Sequence, residues 1–161
     1  MTELDISQIT SYLLISAWPR REHADQIRAM GVKLILSMYL RRPDKTLWEP
    51  PITLLWLPVI DSPIIPIPIS VFQRGVQAAL PVIDGGDSVL VHCRYGIHRS
   101  AAMACCILIA KGYSSEEAVE LVKQQRAVAK PDAGYVLARI KKFEADWTLG
   151  TRKTQDLRQP D

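Results

Sequence analysis

One stretch restricts the possible folds more than any other. Ser88-Val89-Leu90-Val91-His92 runs through a short loop containing Gly96 into the helix-forming segment Ser100 to Lys111. The first part reads as a short strand and the second as a buried helix, ended by Gly112. A strand feeding a helix through so tight a loop is a unit of layered α/β architecture. The apolar run from Ala101 to Ala110 is ten residues long. About 20 are needed to cross a bilayer, so it reads as core and no membrane span is expected.

The rest of the chain extends this pattern. Ile9 to Ala17 is β-rich and ends at Trp18-Pro19. Glu22 to Met30 has helical spacing and stops at Gly31. Val32 to Met38 and Ile52 to Val59 read as strands, separated by a polar stretch with the basic cluster Arg41, Arg42 and Lys45. Pro63, Pro66 and Pro68 make the segment after Asp61 a stiff loop rather than a strand. Ser70 is the expected cap of a helix to Val82, and Asp84-Gly85-Gly86-Asp87 a turn. Ser114 or Ser115 caps a helix to Arg126, with Glu117 completing a capping box. Pro131 and Asp132 open a last helix to Trp147, and the polar residues from Gly150 are expected to fray. The expected fold is a single α/β domain over residues 1–149, a small mainly parallel sheet flanked by helices, with a polar tail at 150–161.

Composition excludes several classes. With 161 residues, 48% hydrophobic and 23% charged, the chain suits one globular domain and not a disordered one. Three cysteines cannot build a disulfide scaffold. A net charge of +3 is too mild to argue for nucleic acid. The opening Met1-Thr2-Glu3-Leu4-Asp5 carries acids where a secretory signal carries bases, so a cytosolic, reducing setting is expected. Nothing suggests an obligate partner, and a monomer is expected.

The chemistry concentrates in His92-Cys93-Arg94-Tyr95-Gly96-Ile97-His98-Arg99-Ser100. With 12 arginines in the chain, a bare cysteine–arginine spacing of this kind arises by chance in roughly one such chain in five. The context adds the weight: an apolar strand before, glycine in mid-loop, and serine and an apolar helix after. A loop entering a helix N-terminus turns successive N–H groups inward and makes a nest for a tetrahedral oxyanion. Gly96 permits a positive φ there. Arg99 can grip two phosphate oxygens, and Cys93 lies at the base of the ring, aimed at phosphorus. The thiol must ionise to attack. Lowering its pKa by three units takes about 4 kcal/mol, and a helix dipole supplies at most ~2 kcal/mol. Loop amides and Arg99 must supply the rest, with His92 bonded within the loop or simply completing the strand.

A phosphate ester also needs a proton for its leaving oxygen. Asp61 is the candidate acid, after a strand and at the mouth of the proline loop; its alternative is a turn cap before Pro63. Asp84 and Asp87 belong to the wrong end of a strand, and Asp44 has no strand end to place it.

His92-Cys93-x-x-Gly96-x-x-Arg99-Ser100 resembles the signature of cysteine-dependent protein tyrosine phosphatases. Leu57-Pro58-Val59-Ile60-Asp61 and the short chain resemble the compact, atypical dual-specificity branch, over residues 4–148. The resemblance implies a phosphocysteine formed on Cys93, Arg99 binding phosphoryl oxygens and Asp61 protonating the leaving group and then activating water. It also implies that Ser100 bonds the thiolate, that His92 organises the loop, and that Arg94, Tyr95, Gly96, Ile97 and His98 bind substrate. No cofactor or metal is implied. The substrate would be a phosphorylated protein or small phosphomonoester. Inositol phosphates or phosphoinositides are the alternative, favoured if Arg41, Arg42 and Lys45 lie near the loop. A non-catalytic phosphate-binding module is a third reading, disfavoured by Cys93 and Asp61 together. Asp132 stands where the family usually has Asn. Trp18-Pro19-Arg20 imitates the acid-loop motif of larger tyrosine phosphatases without its Asp, and reads as a turn. Cys105 and Cys106 read as core, and Trp48, Trp56, Tyr135 and Trp147 as core or rim.

Overall fold

The structure is a computed structural model that describes residues 2–158. Five strands, β1 (Ile6–Thr10), β2 (Leu13–Ser16), β3 (Val32–Ser37), β4 (Thr53–Trp56) and β5 (Ser88–His92), form one sheet in the order β1-β2-β5-β3-β4. Only the β1–β2 pair is antiparallel; β2, β5, β3 and β4 run parallel. The helices are α1 (Ala24–Ala29), α2 (Ile69–Asp84), α3 (Arg99–Ala110), α4 (Ser115–Gln125) and α5 (Gly134–Asp156).

Strand alternation sends side chains to two cores. Leu13, Ile15, Leu34, Leu36, Val89 and Val91 face α2 to α5. Leu14, Ile35 and Leu90 face α1 and the 3-10 turn Lys45–Trp48, where Ala24, Ile27 and Leu47 meet them. Sheets covered on both faces need strands apolar at every position, which is why β2, β3 and β5 read as continuous apolar runs. Each such buried Leu, Ile or Val contributes roughly 1.5–3 kcal/mol. No helix among the described residues is long and apolar enough to cross a membrane.

Several expected boundaries move. The β-rich segment is two strands, because the chain turns at Ser11-Tyr12 and β1 begins at Ile6. The first helix is shortened to Ala24–Ala29 behind a 3-10 turn at Arg21–His23. Strand β4 stops at Trp56, since Pro58 has no N–H for a ladder. Helix α2 starts at Ile69, with Pro68 rather than Ser70 at its cap, and passes Pro81 to Asp84. The capping box forms as expected, with Glu117 N–H donating to Ser114 Oγ at 3.1 Å and Ser114 N–H to Glu117 Oε2 at 2.9 Å. Helix α5 begins at Gly134 and does not end at Trp147; the stretch expected to fray continues as helix to Asp156. Extending an existing helix fixes one residue per new hydrogen bond, so polar residues with adequate propensity continue it. Residues 159–161 of the expected tail lie outside the described residues.

Register places the functional loops. Ser16 pairs with His92, His92 with Ser37, and Ser37 with Trp56. The chain therefore leaves four parallel strands from one row, and Trp18, Tyr39, Asp61 and Cys93 all follow from that edge. Ligand sites in open α/β sheets form outside these carboxyl ends.

Candidate active site

The loop from Cys93 to His98 is turned by its own carbonyls. The Arg94 oxygen accepts from Trp18 N–H at 2.9 Å, and the Ile97 oxygen from Lys130 N–H at 2.9 Å. Tyr95 O and Gly96 O accept from Arg126 Nη2 at 3.1 Å and Arg126 Nε at 2.8 Å. A trans peptide points its N–H away from its C=O. The amides of Tyr95, Gly96, Ile97 and His98 are thereby turned toward the loop interior. Gly96 has φ +67°, and a Cβ there would stand 2.6 Å from Arg126 Nη2 and 2.8 Å from the Ser16 oxygen. No other residue fits that position without moving the brace behind it.

Cys93 is only 2% exposed, but polar groups surround its sulfur. Sγ lies 3.3 Å from Ser100 Oγ and accepts from Gly96 N–H at 3.3 Å. Burial pushes the thiol pKa up. The Ser100 hydroxyl and N–H, the Arg99 charge and the Gly96 N–H outweigh burial, and the value falls below that of an ordinary thiol. Arg99 is buried, with Nη1 donating to the oxygens of Val59 at 3.0 Å and Met38 at 3.5 Å. Its Nε has no hydrogen-bond partner among the described residues, so one donor of the fork is left for a ligand. Burial pushes Cys105 and Cys106 far the other way, and both pack in the core as inert thiols.

Asp61 reaches the loop and is held there twice. Its Oδ2 is 2.9 Å from His98 Nδ1, and its Oδ1 accepts from the Tyr135 hydroxyl at 2.7 Å. Burial, then the Asp61 carboxylate it donates to, push Tyr135 up to about 12. Tyr135 therefore remains a donor at working pH. Sequence reasoning placed it only as core or rim, and assigned His98 to substrate rather than to Asp61.

His92 lies beneath the loop with Nδ1 3.3 Å from the Cys93 oxygen and Nε2 unpartnered among the described residues. Burial lowers its pKa from 6.5 to about 4, and the Arg99 charge adds to this. The sign follows directly: between these values the unfolded chain binds a proton that the folded chain does not. Stability is thus expected to fall as pH drops from about 6.5 to about 4. The loss is about 3 kcal/mol. Denaturant midpoints at pH 7 and pH 4 check this; an equal drop in His92→Gln would assign the effect elsewhere.

Arg126 is the residue most underrated by sequence. Its side chain is 1% exposed and closes on Asp5 at 2.9 Å as well as on the loop carbonyls. The signal was its position at the end of a helix, which suggests a cap and not a brace. Asp132 turns away and pairs with Lys123 at 2.9 Å, so it adds no charge to the loop. Arg94 and Tyr95 are exposed at the rim, and Ile97 is half-buried.

A thiol held low in a nest of amides and closed by a buried guanidinium defines a cysteine-based oxyanion site at a strand–helix junction. Residues 13–145 match the family model described as dual specificity phosphatase, catalytic domain, and the chain belongs to that family. Mouse dual specificity phosphatase 28 is 31% identical over 115 residues, covering 71% of this chain and 68% of its own length. The crystal structure of human DUSP28 has a TM-score of 0.79 at 23% identity, covering 91% of this chain and 97% of that one. That of PTPMT1 in complex with PI(5)P also has a TM-score of 0.79, at 24% identity, covering 91% and 98%. At these identities the two structures share the fold. The chain spans less than half the length of other curated relatives it matches.

Proposed function

We propose that this protein hydrolyses phosphomonoesters through a phosphocysteine intermediate, with phosphotyrosine, phosphoserine or phosphothreonine on proteins as its substrates. The observation that carries the reading is the Cys93 thiol, lowered below its ordinary pKa under a loop closed by Arg99, with Asp61 bonded to that loop. The Cys93 thiolate attacks phosphorus, the bond from phosphorus to the leaving oxygen breaks, and that oxygen takes the Asp61 proton. Water then attacks the phosphocysteine and gives a proton to Asp61. The S–P bond breaks to return thiolate, steadied by Ser100, and inorganic phosphate. Arg99 and the inward amides hold the phosphoryl oxygens throughout, and His92 organises the loop from beneath.

A cavity of about 310 Å³ adjoins Asp61 and Arg99, walled by Ile60, Pro63, Ile64, Phe72, Ala102 and Val136. It lies on the acid's side of the loop, where an apolar or aromatic leaving group is accommodated. A second reading, inositol phosphates or phosphoinositides, is favoured by Arg41, which shares a surface depression with Arg94. Arg42 stacks instead on Trp48, 5.0 Å from the ring centroid.

The test is phosphate release by the reduced protein from a phosphotyrosine peptide, a phosphothreonine peptide and inositol trisphosphate. The expected order places phosphotyrosine first. Release from none of the three would remove the enzymatic reading, and a preference for inositol trisphosphate would exchange the first for the second.

A further inference from the structure

We propose that the cavity beside Asp61 is a carboxylate-reading subsite. It seats a single aromatic ring or branched alkyl group on the leaving side of the ester, and Arg139 takes a carboxylate at the far end of that group. The proposal rests on the phosphatase reading for the scissile phosphate, and on α5 and the proline loop for the rest.

Two segments frame the cavity: the loop from Asp61 to Ile67, and the turn of α5 from Tyr135 to Arg139. A hydrogen bond joins them at each end. Tyr135 Oη donates to Asp61 Oδ1 at 2.7 Å, and Arg139 Nε donates to the Ile67 oxygen at 3.0 Å. Residues four apart on a helix share a face and stand about 6 Å apart along its axis. The acid and the guanidinium are therefore separated by about the length of one aromatic ring. Between the two bonds the walls are apolar, with Ile67, Phe72 and Val136 among them. The loop is stiffened by Pro63 and Pro66, and its Ser62 hydroxyl accepts from the N–H of Ile64 at 3.1 Å and of Ile65 at 3.3 Å. A walled space tied at both ends needs little ordering when it takes a ligand.

Charge decides what the far end of the occupant carries. Asp61 is the only acid that lines the cavity among the described residues, and Tyr135 and His98 occupy both its oxygens. Arg99 serves the phosphate, with Nη1 already on the Val59 and Met38 oxygens. Arg139 is different. It is half-buried in the cavity wall, makes no salt bridge among the described residues, and uses Nε for its bond to Ile67. Its two terminal nitrogens are left, and such a pair grips a carboxylate with two parallel bonds. Apolar walls lower the local dielectric and strengthen that contact. A neutral ring would fill the walls and leave the guanidinium unpaired; a carboxylate on the ring pairs it. That carboxylate comes from a small aryl acid or from an acidic residue beside a phosphotyrosine.

The experiment compares 4-(carboxymethyl)phenyl phosphate with its primary amide. The two esters release phenols of nearly equal acidity, so the ratio of their kcat/KM values reads the carboxylate and cancels any general effect on the loop. Wild type is expected to favour the acid about tenfold, through KM. Arg139→Gln is expected to bring the ratio to unity, and Arg139→Lys to restore part of it. A phosphotyrosine peptide with Asp after the tyrosine, set against its Asn twin, distinguishes the sources. A preference for Asp that Arg139→Gln removes assigns the carboxylate to a protein; a preference confined to the small esters assigns it to a free acid. A ratio near unity in wild type for both pairs, or a preference that survives Arg139→Gln, overturns the subsite and leaves the phosphatase reading standing. Calorimetry with the matching benzylphosphonates, which cannot be hydrolysed, separates the two readings. If wild type turns over nothing yet binds the acid more tightly than the amide, and Arg139→Gln erases that difference, the subsite stands and the phosphatase reading falls. With neither turnover nor that difference, both fall.

Discussion

Cys93→Ser is expected to bring phosphate release down to background while the protein still folds and still binds phosphate. The nucleophile is the sulfur anion, and a serine hydroxyl in its place remains protonated. Removing the nucleophile from a covalent hydrolase costs on the order of 10⁶-fold in kcat. The fold tolerates the exchange because the new oxygen inherits the same partners, Ser100 Oγ and the Gly96 N–H. The binding groups are untouched, since Arg99 is held by Val59 O and the loop by Arg126. Removing the thiolate also removes a negative charge that competes with a dianionic phosphate for the same amides. Orthovanadate or phosphate affinity is thus expected to be equal to or tighter than that of wild type. The check is a turnover assay beside a binding titration and a melting curve. Residual activity above background at normal stability would show that another group attacks phosphorus.

The phosphate loop was legible because all its chemistry is contiguous: strand, cysteine, glycine, arginine and helix within Val89 to Ala110. Asp61 was legible for a related reason, standing just beyond a strand whose end reaches the same edge. What escaped notice arrives from far along the chain. Arg126 is 30 residues from Gly96 and 121 from Asp5. Tyr135 is 74 residues from Asp61 and reaches it only because α5 begins at Gly134. Spacing rules act within one element and carry no information on such meetings. Strand β1 was missed as a separate element because it is an edge strand burying only Ile9, and its turn lacks the Asn-Gly or Asp-Gly pair that marks a hairpin.

Asp61→Asn is expected to slow hydrolysis of alkyl phosphates by about 10²–10⁴-fold and to flatten the alkaline limb of the pH profile. The substitution isolates the proton. An asparagine carbonyl still accepts from Tyr135, and its amide stands where Oδ2 faces His98 Nδ1, so the side chain keeps its place. The amide has no carboxyl proton to transfer, so a limb that depends on that proton disappears with it. Leaving groups that depart readily without protonation are less affected, so the loss on para-nitrophenyl phosphate is expected to be smaller than on phosphoserine. Tyr135→Phe removes one of the two contacts that hold Asp61 and is expected to lower the rate without abolishing it. The tyrosine, pushed up to about 12, donates to Asp61 at every working pH and so keeps the carboxyl positioned at the loop. An alkaline limb unchanged in Asp61→Asn would place the proton donor on some other group, and the contacts of Asp61 with His98 and Tyr135 would then serve only to hold the proline loop against α5.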